Sequence, residues 1–304
     1  MKCAYYCCLV IGQLFYHFVY SQYYFSSNNR VEPELLWEAG LSAGVMNCLT
    51  DIGGNNGAGK KFIKDLNWNQ TQAGGSIFVN ADWHYLFGIR AGATLGRVAG
   101  SDAVLKNSSG VARSRYLRNL QFRTSIVELS FAAELFPLVL FNKGNVSVLS
   151  PYLLAGIGGF HYTPRAWLNN KWTDLRSLHT EGEGFIEYPD RHVYGQWAWS
   201  VPTGIGIRYD AAGLVNLRFE IAYRFTGTDY LDDVSKEYID ASLFNHYLPP
   251  AQAMEANQLA DRSAELNAGV KNNVNDIRGN PANKDAWFSA MFSASIVLGR
   301  VRHK

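Results

Sequence analysis

The stretch Leu217-Arg218-Phe219-Glu220-Ile221-Ala222-Tyr223-Arg224-Phe225 decides the fold. Leu217, Phe219, Ile221, Tyr223 and Phe225 alternate strictly with Arg218, Glu220, Ala222 and Arg224. Successive side chains of a β-strand point to opposite sides, so this period of two describes a strand with one apolar and one charged face. The pattern recurs along the chain. Val127, Leu129, Phe131, Ala133 and Leu135 alternate with Glu128, Ser130, Ala132 and Glu134. Trp37, Ala39, Leu41, Ala43 and Val45 alternate with Glu38, Gly40, Ser42 and Gly44, and Phe288, Ala290, Phe292, Ala294, Ile296 and Leu298 with Ser289, Met291, Ser293 and Ser295.

Four more runs lie near 75–84, 86–97, 147–160 and 195–209. In the second of these Ile89, Ala91, Ala93 and Leu95 oppose Gly88, Arg90, Gly92, Thr94 and Gly96. In the last, Trp199, Val201, Ile205 and Ile207 oppose Ser200, Gly204, Gly206 and Arg208. Each run is roughly 9–13 residues, the length a tilted strand needs to cross hydrocarbon. The connections alternate too. Short turns fall near 83–87, 137–146 and 210–213, and long loops at about 48–73, 98–121, 161–194 and 227–285. Short turns on one rim and long loops on the other are the plan of an outer-membrane barrel. The expected fold is therefore all-β, an eight-stranded antiparallel up-and-down transmembrane β-barrel spanning 22–304, with both termini on the periplasmic side and a helix over Pro249–Val270 in the fourth loop.

Composition agrees. Of 304 residues, 47% are hydrophobic, 14% aromatic and 18% charged, which excludes a disordered chain. A net charge of +2 shows no basic excess for nucleic acid. Past residue 21 there is no apolar run long enough for a spanning helix. Residues 1–21, MKCAYYCCLVIGQLFYHFVYS, read as a signal peptide, with mature Gln22 as the expected start. Its removal takes Cys3, Cys7 and Cys8, so Cys48 alone remains and no intramolecular disulfide or cysteine-based metal site can form. A soluble barrel or sandwich would bury its apolar face and expose its charges. Here the minority face is Gly, Ser and matched charge, and Trp37, Trp83, Trp199, Tyr209, Tyr223 and Trp287 near strand ends suit a membrane-interface girdle.

In this register the lumen receives Glu38, Glu128, Glu134 and Glu220 together with Arg90, Arg208, Arg218 and Arg224. An eight-stranded barrel has an interior that side chains fill, so balanced charge there implies an ion-pair network rather than a pore, with the lumen glycines making room for the arginines. Candidate catalytic groups in the loops are His161, His179, His192, His246, Asp229, Asp232, Asp233 and Asp261, but no Gly-x-Ser-x-Gly elbow, His-Glu-x-x-His or P-loop accompanies them. Asp229-Tyr230-Leu231-Asp232-Asp233 lacks the alternating acid spacing of a calcium loop. No catalytic residue, metal site or cofactor is expected. A weak stripe, Leu259, Ser263, Leu266 and Val270, marks one face of the expected helix.

Several stretches resemble one family. They include Glu38-Ala39-Gly40-Leu41 with Thr50-Asp51-Ile52-Gly53, Arg118 to Arg123, Pro151-Tyr152 through to Phe160-His161-Tyr162, and Leu178-His179-Thr180-Glu181-Gly182. Pro202 to Gly206 and Glu220 to Arg224 follow, then Leu259 to Ser263 and Arg278-Gly279. The densest piece is Thr228-Asp229-Tyr230-Leu231-Asp232-Asp233-Val234-Ser235. In this order and spacing the chain resembles the PorG-like outer-membrane barrels of the Bacteroidota over nearly all of its expected mature length. The resemblance implies a non-enzymatic component of the type IX secretion system, embedded in the bacterial outer membrane. Its partners would be a PorK-like lipoprotein, a PorN-like ring protein and the translocon, in a machine that in some species supports gliding. Asp229, Tyr230, Asp232, Asp233 and Ser235 are expected to form an interaction motif that holds the fourth loop in shape for a partner, its carboxylates capping backbone N–H groups or pairing with an arginine such as Arg262 or Arg278. The ring would then meet the short turns and the tail residues Arg300, Arg302 and Lys304. The alternatives are a free-standing OmpA-like structural or adhesin barrel, or a lipid-modifying enzyme.

Overall fold

The computed structural model describes residues 35–54, 66–84, 86–138, 148–211 and 214–298. The expected signal peptide over 1–21, most of the turn at 137–146 and the basic tail lie outside these residues. The strands are β1 (Leu35–Leu49), β2 (Gln72–Trp83), β3 (Phe87–Ser101), β4 (Gln121–Leu135), β5 (Leu149–Leu168), β6 (Lys171–Asp174), β7 (Trp197–Asp210), β8 (Val215–Thr226) and β9 (Ala286–Leu298). All pairings are antiparallel. The order β4-β3-β2-β1-β9-β8-β7-β5 closes on itself because β4 also pairs with β5, giving an eight-stranded barrel with β6 as an extra strand.

Among the described residues, short helices in the loops include α1 (Val111–Arg118), α2 (Ser242–Tyr247) and α3 (Pro250–Ala260). The helix expected over Pro249–Val270 is shorter than its composition suggests. Asp261 turns extended (φ −136°, ψ 109°). Its carboxylate accepts the Ser263 amide at 3.0 Å and the Asn272 amide at 2.8 Å, offering the backbone a competing partner. The expected stripe is split accordingly, with Leu259 and Ser263 buried and Leu266 and Val270 exposed. The strands also run past their expected ends. In β5 the alternation continues through Phe160, Tyr162, Pro164, Ala166 and Leu168, all buried, so the strand rises above the barrel and folds back as β6.

The outer wall is apolar. Leu41 (67% exposed), Ile157 (69%) and Phe292 (70%) stand among many exposed aliphatic and aromatic side chains in the outward phase of the strands. Water-soluble monomers do not expose a continuous belt of this kind, and a closed barrel leaves no unpaired strand edge within hydrocarbon. The protein is an integral outer-membrane β-barrel. Trp37, Trp83 and Trp199 lie on its outer surface as expected. Trp287 does not. Its register opposite Cys48 puts it in the inward phase, where it is fully buried, with the Arg224 guanidinium 4.4 Å above its ring and Phe160 edge-on.

Inside, a small apolar layer of Leu36, Ala132, Phe136, Tyr152, Leu154 and Val297 seals the rim of short turns. A much larger cluster fills the upper barrel and the loops above it, uniting Met46, Phe160, Tyr162 and Trp287 with Leu178, Leu231, Val234, Phe244 and Leu259. Gly40, Gly74, Gly96 and Gly206 make room for aromatic rings and a thioether rather than for arginines. A Cβ at Gly206 would overlap the Tyr152 ring, one at Gly40 the Phe78 ring, and one at Gly74 or Gly96 the Met46 sulfur.

Candidate functional site

Two charged assemblies stand out, one between the apolar layers and one in the cap formed by the long loops. In the lumen, Arg218 lies between Glu38 (2.7 Å) and Glu134 (2.8 Å), with its side chain wholly buried. Arg90 bridges Glu134 and Glu220, the latter at 2.7 Å. Arg208 holds Asp82 at 2.6 Å and reaches Glu38 at 3.5 Å. Arg224 pairs with Glu128 at 3.4 Å. The structure thus places all eight lumen residues named from the sequence facing inward, each in an ion pair that links two strands.

Asp82 joins them without having been expected there. It lies two residues beyond Asn80, in the inward phase of β2, and Asn80 donates to both Asp82 (3.0 Å) and Glu134 (3.1 Å). Tyr152 adds a hydroxyl donor to Glu220 at 2.7 Å. Phe78 lies under Arg90 (4.9 Å) and Arg218 (5.5 Å), so the network is packed between rings. The lumen is thus lined by alternating charge, with Phe136 buried on one side of it and Trp287 on the other.

In the cap, the string Asp229–Ser235 is a clamp. Asp229 accepts the Ser235 hydroxyl at 2.6 Å. Asp232 accepts the Ile52 amide at 2.9 Å and the Val234 amide at 3.0 Å. Asp233, held at φ 67°, accepts Thr180 Oγ1 at 2.6 Å and the Tyr194 hydroxyl at 2.5 Å. Tyr230 stacks on Tyr194 with ring centres 4.5 Å apart. The string therefore ties the first long loop and the 175–195 segment to the fourth loop. Asp285 adds a link by accepting the Leu231 amide at 2.8 Å.

Two arginines carry the rest of the cap. Arg118 binds Asp102 through Nε at 2.8 Å and the Asp51 carbonyl at 2.7 Å, and reaches the Arg278 carbonyl. Arg278 pairs with Glu181 at 2.8 Å and donates to the Asp233 carbonyl at 2.8 Å. Of the two arginines expected as partners of the string, Arg278 touches it and Arg262 does not. Arg262 pairs instead with Glu265 and donates to the Trp167 carbonyl.

Acids outnumber bases here. Asp102, Glu181, Glu183, Asp229, Asp232, Asp233 and Asp285 are buried, against Arg118, Arg191 and Arg278. Burial pushes Asp229 and Asp233 up to about 7 and Glu183 up to about 8. Burial first, and neighbouring carboxylates second, also raise Asp232 and Asp285 well above the usual carboxylate range. Asp232, Asp233 and Asp285 are spent on N–H and O–H donors, while one buried oxygen each of Asp229 and Glu183 has no donor. Among the described residues, no group of three or more His, Cys, Asp or Glu side chains is arranged to hold a metal ion.

The remaining candidates are scattered. His161 points outward against Trp197 (5.2 Å between ring centres), His179 lies at φ 49° against Phe185, and His192 and His246 are exposed. Asp261 is occupied as a turn anchor. The geometry assembles no nucleophile–base pair from them.

No protein-family model matches the chain, and no curated protein does. Among solved structures it is similar to Ail, the attachment invasion locus protein of Yersinia pestis, with 9% identity and TM-score 0.35 over 86% of this chain and 99% of that one. It is similar to Neisserial surface protein A (9% identity, TM-score 0.34, 87% and 97% covered). It is also similar to a major outer membrane protein from Thermus thermophilus (11% identity, TM-score 0.36, 88% and 100% covered).

Proposed function

We propose that this protein is a structural barrel that neither conducts nor catalyses, and that it acts by presenting its cap of long loops as a component of the type IX protein secretion apparatus. The observation that carries the first half is the closed interior, sealed by Phe136 at one rim and by Trp287 and the cap core at the other, with the space between filled by paired charge. The second half rests on the family resemblance. What supports it is that Thr228–Ser235, where the resemblance is densest, is the segment whose carboxylates hold the cap together. A loop built for shape rather than chemistry suits a docking role. The cap faces outward, so its partner would be the translocon or another outer-membrane subunit. The PorK-like lipoprotein and PorN-like ring protein would meet the short turns below.

Affinity purification of the tagged protein from solubilised outer membranes tests this reading. Co-purification of the ring lipoprotein and ring protein in fixed ratio is expected. Recovery of a lone monomer under conditions that keep the ring intact would refute the secretion role and favour a free-standing barrel.

A further inference from the structure

We propose that Arg97, Arg123 and Arg165 form a site on the outer wall for the phosphate groups of an anionic outer-leaflet glycolipid. The strand phase puts all three on the membrane side. Arg97 follows Leu95 in the outward phase of β3, Arg123 precedes Ser125 and Val127 in that of β4, and Arg165 follows His161 and Thr163 in that of β5. Register brings them together, since Arg123 lies directly opposite Arg165, and Arg97 opposite Ser125, one outward step away. The positive potentials of Arg97 and Arg165 both fall on Arg123.

Like charges placed directly across a strand pair destabilise it, so this cluster needs an anion. The chain supplies little. Asp174, in register with Arg165 on β6, is the acid beside it, and its Oδ1 accepts the Arg176 amide. Among the described residues none of the three arginines makes an ion pair, whereas Arg90, Arg118, Arg191, Arg208, Arg218, Arg224 and Arg278 all do.

The height of the cluster says what the anion is. Leu95, 58% exposed, is the last apolar outward residue of β3 before Arg97, which stands one outward step above it, at the boundary between hydrocarbon and headgroups. Trp172 lies against the Arg123 guanidinium (3.8 Å) and edge-on to Trp167, as indoles do at a membrane interface. Below Arg97 on the same wall, Ala91 and Ala93 join Leu129 and Phe131 in lining a shallow apolar trough, a seat for acyl chains beneath the headgroup. Guanidinium groups bind phosphate through paired N–H donors, and three of them match a headgroup carrying more than one phosphate better than a single small anion. The inference depends on the membrane-spanning barrel and is independent of any role in secretion.

Native mass spectrometry of the mature protein in neutral detergent tests it, with diphosphoryl lipid A, monophosphoryl lipid A and a neutral glycolipid of matched chains as probes. Retention should fall in that order, and Arg97→Gln with Arg123→Gln and Arg165→Gln should weaken diphosphoryl binding by roughly tenfold or more. Equal retention of the neutral glycolipid, or undiminished binding by a triple variant that keeps its folded gel mobility, would overturn the proposal. Complete displacement of the lipid by millimolar inorganic phosphate would overturn it as well, by making this a free-anion site. If the triple variant does not fold, the comparison of the three lipids on the unaltered protein decides the matter alone.

Discussion

Arg218→Met is the sharpest test of the lumen. The Arg218 side chain has no exposed surface and neutralises Glu38 and Glu134 at once. Methionine fills much of the same volume and removes the charge. Breaking one buried ion pair costs about 3–5 kcal/mol because the remaining partner is left charged in a poor solvent. Two partners are stranded here, but neither is naked. Glu134 keeps Arg90 and the Asn80 amide, and Glu38 keeps Arg208 at 3.5 Å, Asn216 at 2.6 Å and Ser295 at 3.0 Å. The two effects oppose each other, so the single-pair figure of about 3–5 kcal/mol stands for the whole change. For a domain of this size each kcal/mol moves the unfolding midpoint by about 2–4 °C, which gives a drop of roughly 6–20 °C. The assay is the temperature at which the folded, fast-migrating band disappears on electrophoresis, measured in one detergent for all variants. Lys171→Ala is the control, because its pair with Glu255 is exposed and worth about 0–1 kcal/mol. Adding Glu134→Gln to Arg218→Met should recover part of the loss by removing one stranded charge. If Arg218→Met and Lys171→Ala melt together, water or a different register screens these charges and the packed-lumen account fails.

Arg224→Ala should lower the same transition, and by less than Arg218→Met, since its pair with Glu128 is longer at 3.4 Å and Glu128 keeps Ser200 at 2.7 Å. Asp232→Ala with Asp233→Ala should leave an inserted, heat-modifiable barrel, loosen the cap and impair cargo export; normal export by a correctly inserted double variant would count against the docking role. In that variant Cys48, buried beneath the cap, should react with a maleimide much faster than in the parent, and equal rates would mean the string does not hold the cap. The cap should also soften as pH rises. Asp229, Asp233 and Glu183 titrate at about 7, 7 and 8 in the fold against ordinary values of 3.8, 3.8 and 4.5, so the folded cap binds more protons than the unfolded chain. That stabilisation is fully present below about pH 4 and is lost as pH climbs through about 7–8. Hydrogen exchange over 228–240, corrected for its intrinsic pH dependence, should show falling protection across this window, and rising protection would reverse the sign of the argument.

The barrel is legible in the sequence because its strands obey a rule that reads locally. A residue's phase in a run such as Leu217–Phe225 decides whether it meets lipid or lumen, and eight such runs contain their own register. Asp82 escapes a reading that assigns no phase to its strand, although Val79, Ala81 and Trp83 outward and Asn80 and Asp82 inward follow the same alternation. Trp287 departs from expectation for a related reason. Its indole suits an interface, but phase overrides residue type, and the inward side of β9 includes Trp287, Ser289 and Met291. The cap cannot be read in this way. Its decisive bonds join positions far apart in the chain, such as Asp232 to Ile52, a separation of 180 residues, and Arg118 to Arg278, a separation of 160. No local period encodes such contacts. The string Asp229–Ser235 is conspicuous as a cluster of acids, while its donors, Thr180, Tyr194 and the Ile52 amide, are unremarkable where they occur in the sequence.

The two charged assemblies solve one problem in opposite ways, and the difference separates what can move from what cannot. In the lumen Glu38, Asp82, Glu128, Glu134 and Glu220 face four arginines on rigid strands, so each carboxylate lies near a fixed counter-charge and no segment can leave without breaking the strand ladder. In the cap seven buried acids face three arginines, and the acids are satisfied largely by amide and hydroxyl donors carried on the loops themselves. Those donors are only as fixed as the loops that carry them. Releasing Asp233 frees Thr180 and Tyr194 together, and Tyr230 loses its stacking partner with them. The cap should therefore open as a unit while the barrel beneath stays closed, because the two share the upper apolar cluster but the lumen ion pairs are made among the strands alone. A partner that binds the cap can reshape it without disturbing the membrane seal. That separation suits the docking role proposed for the cap.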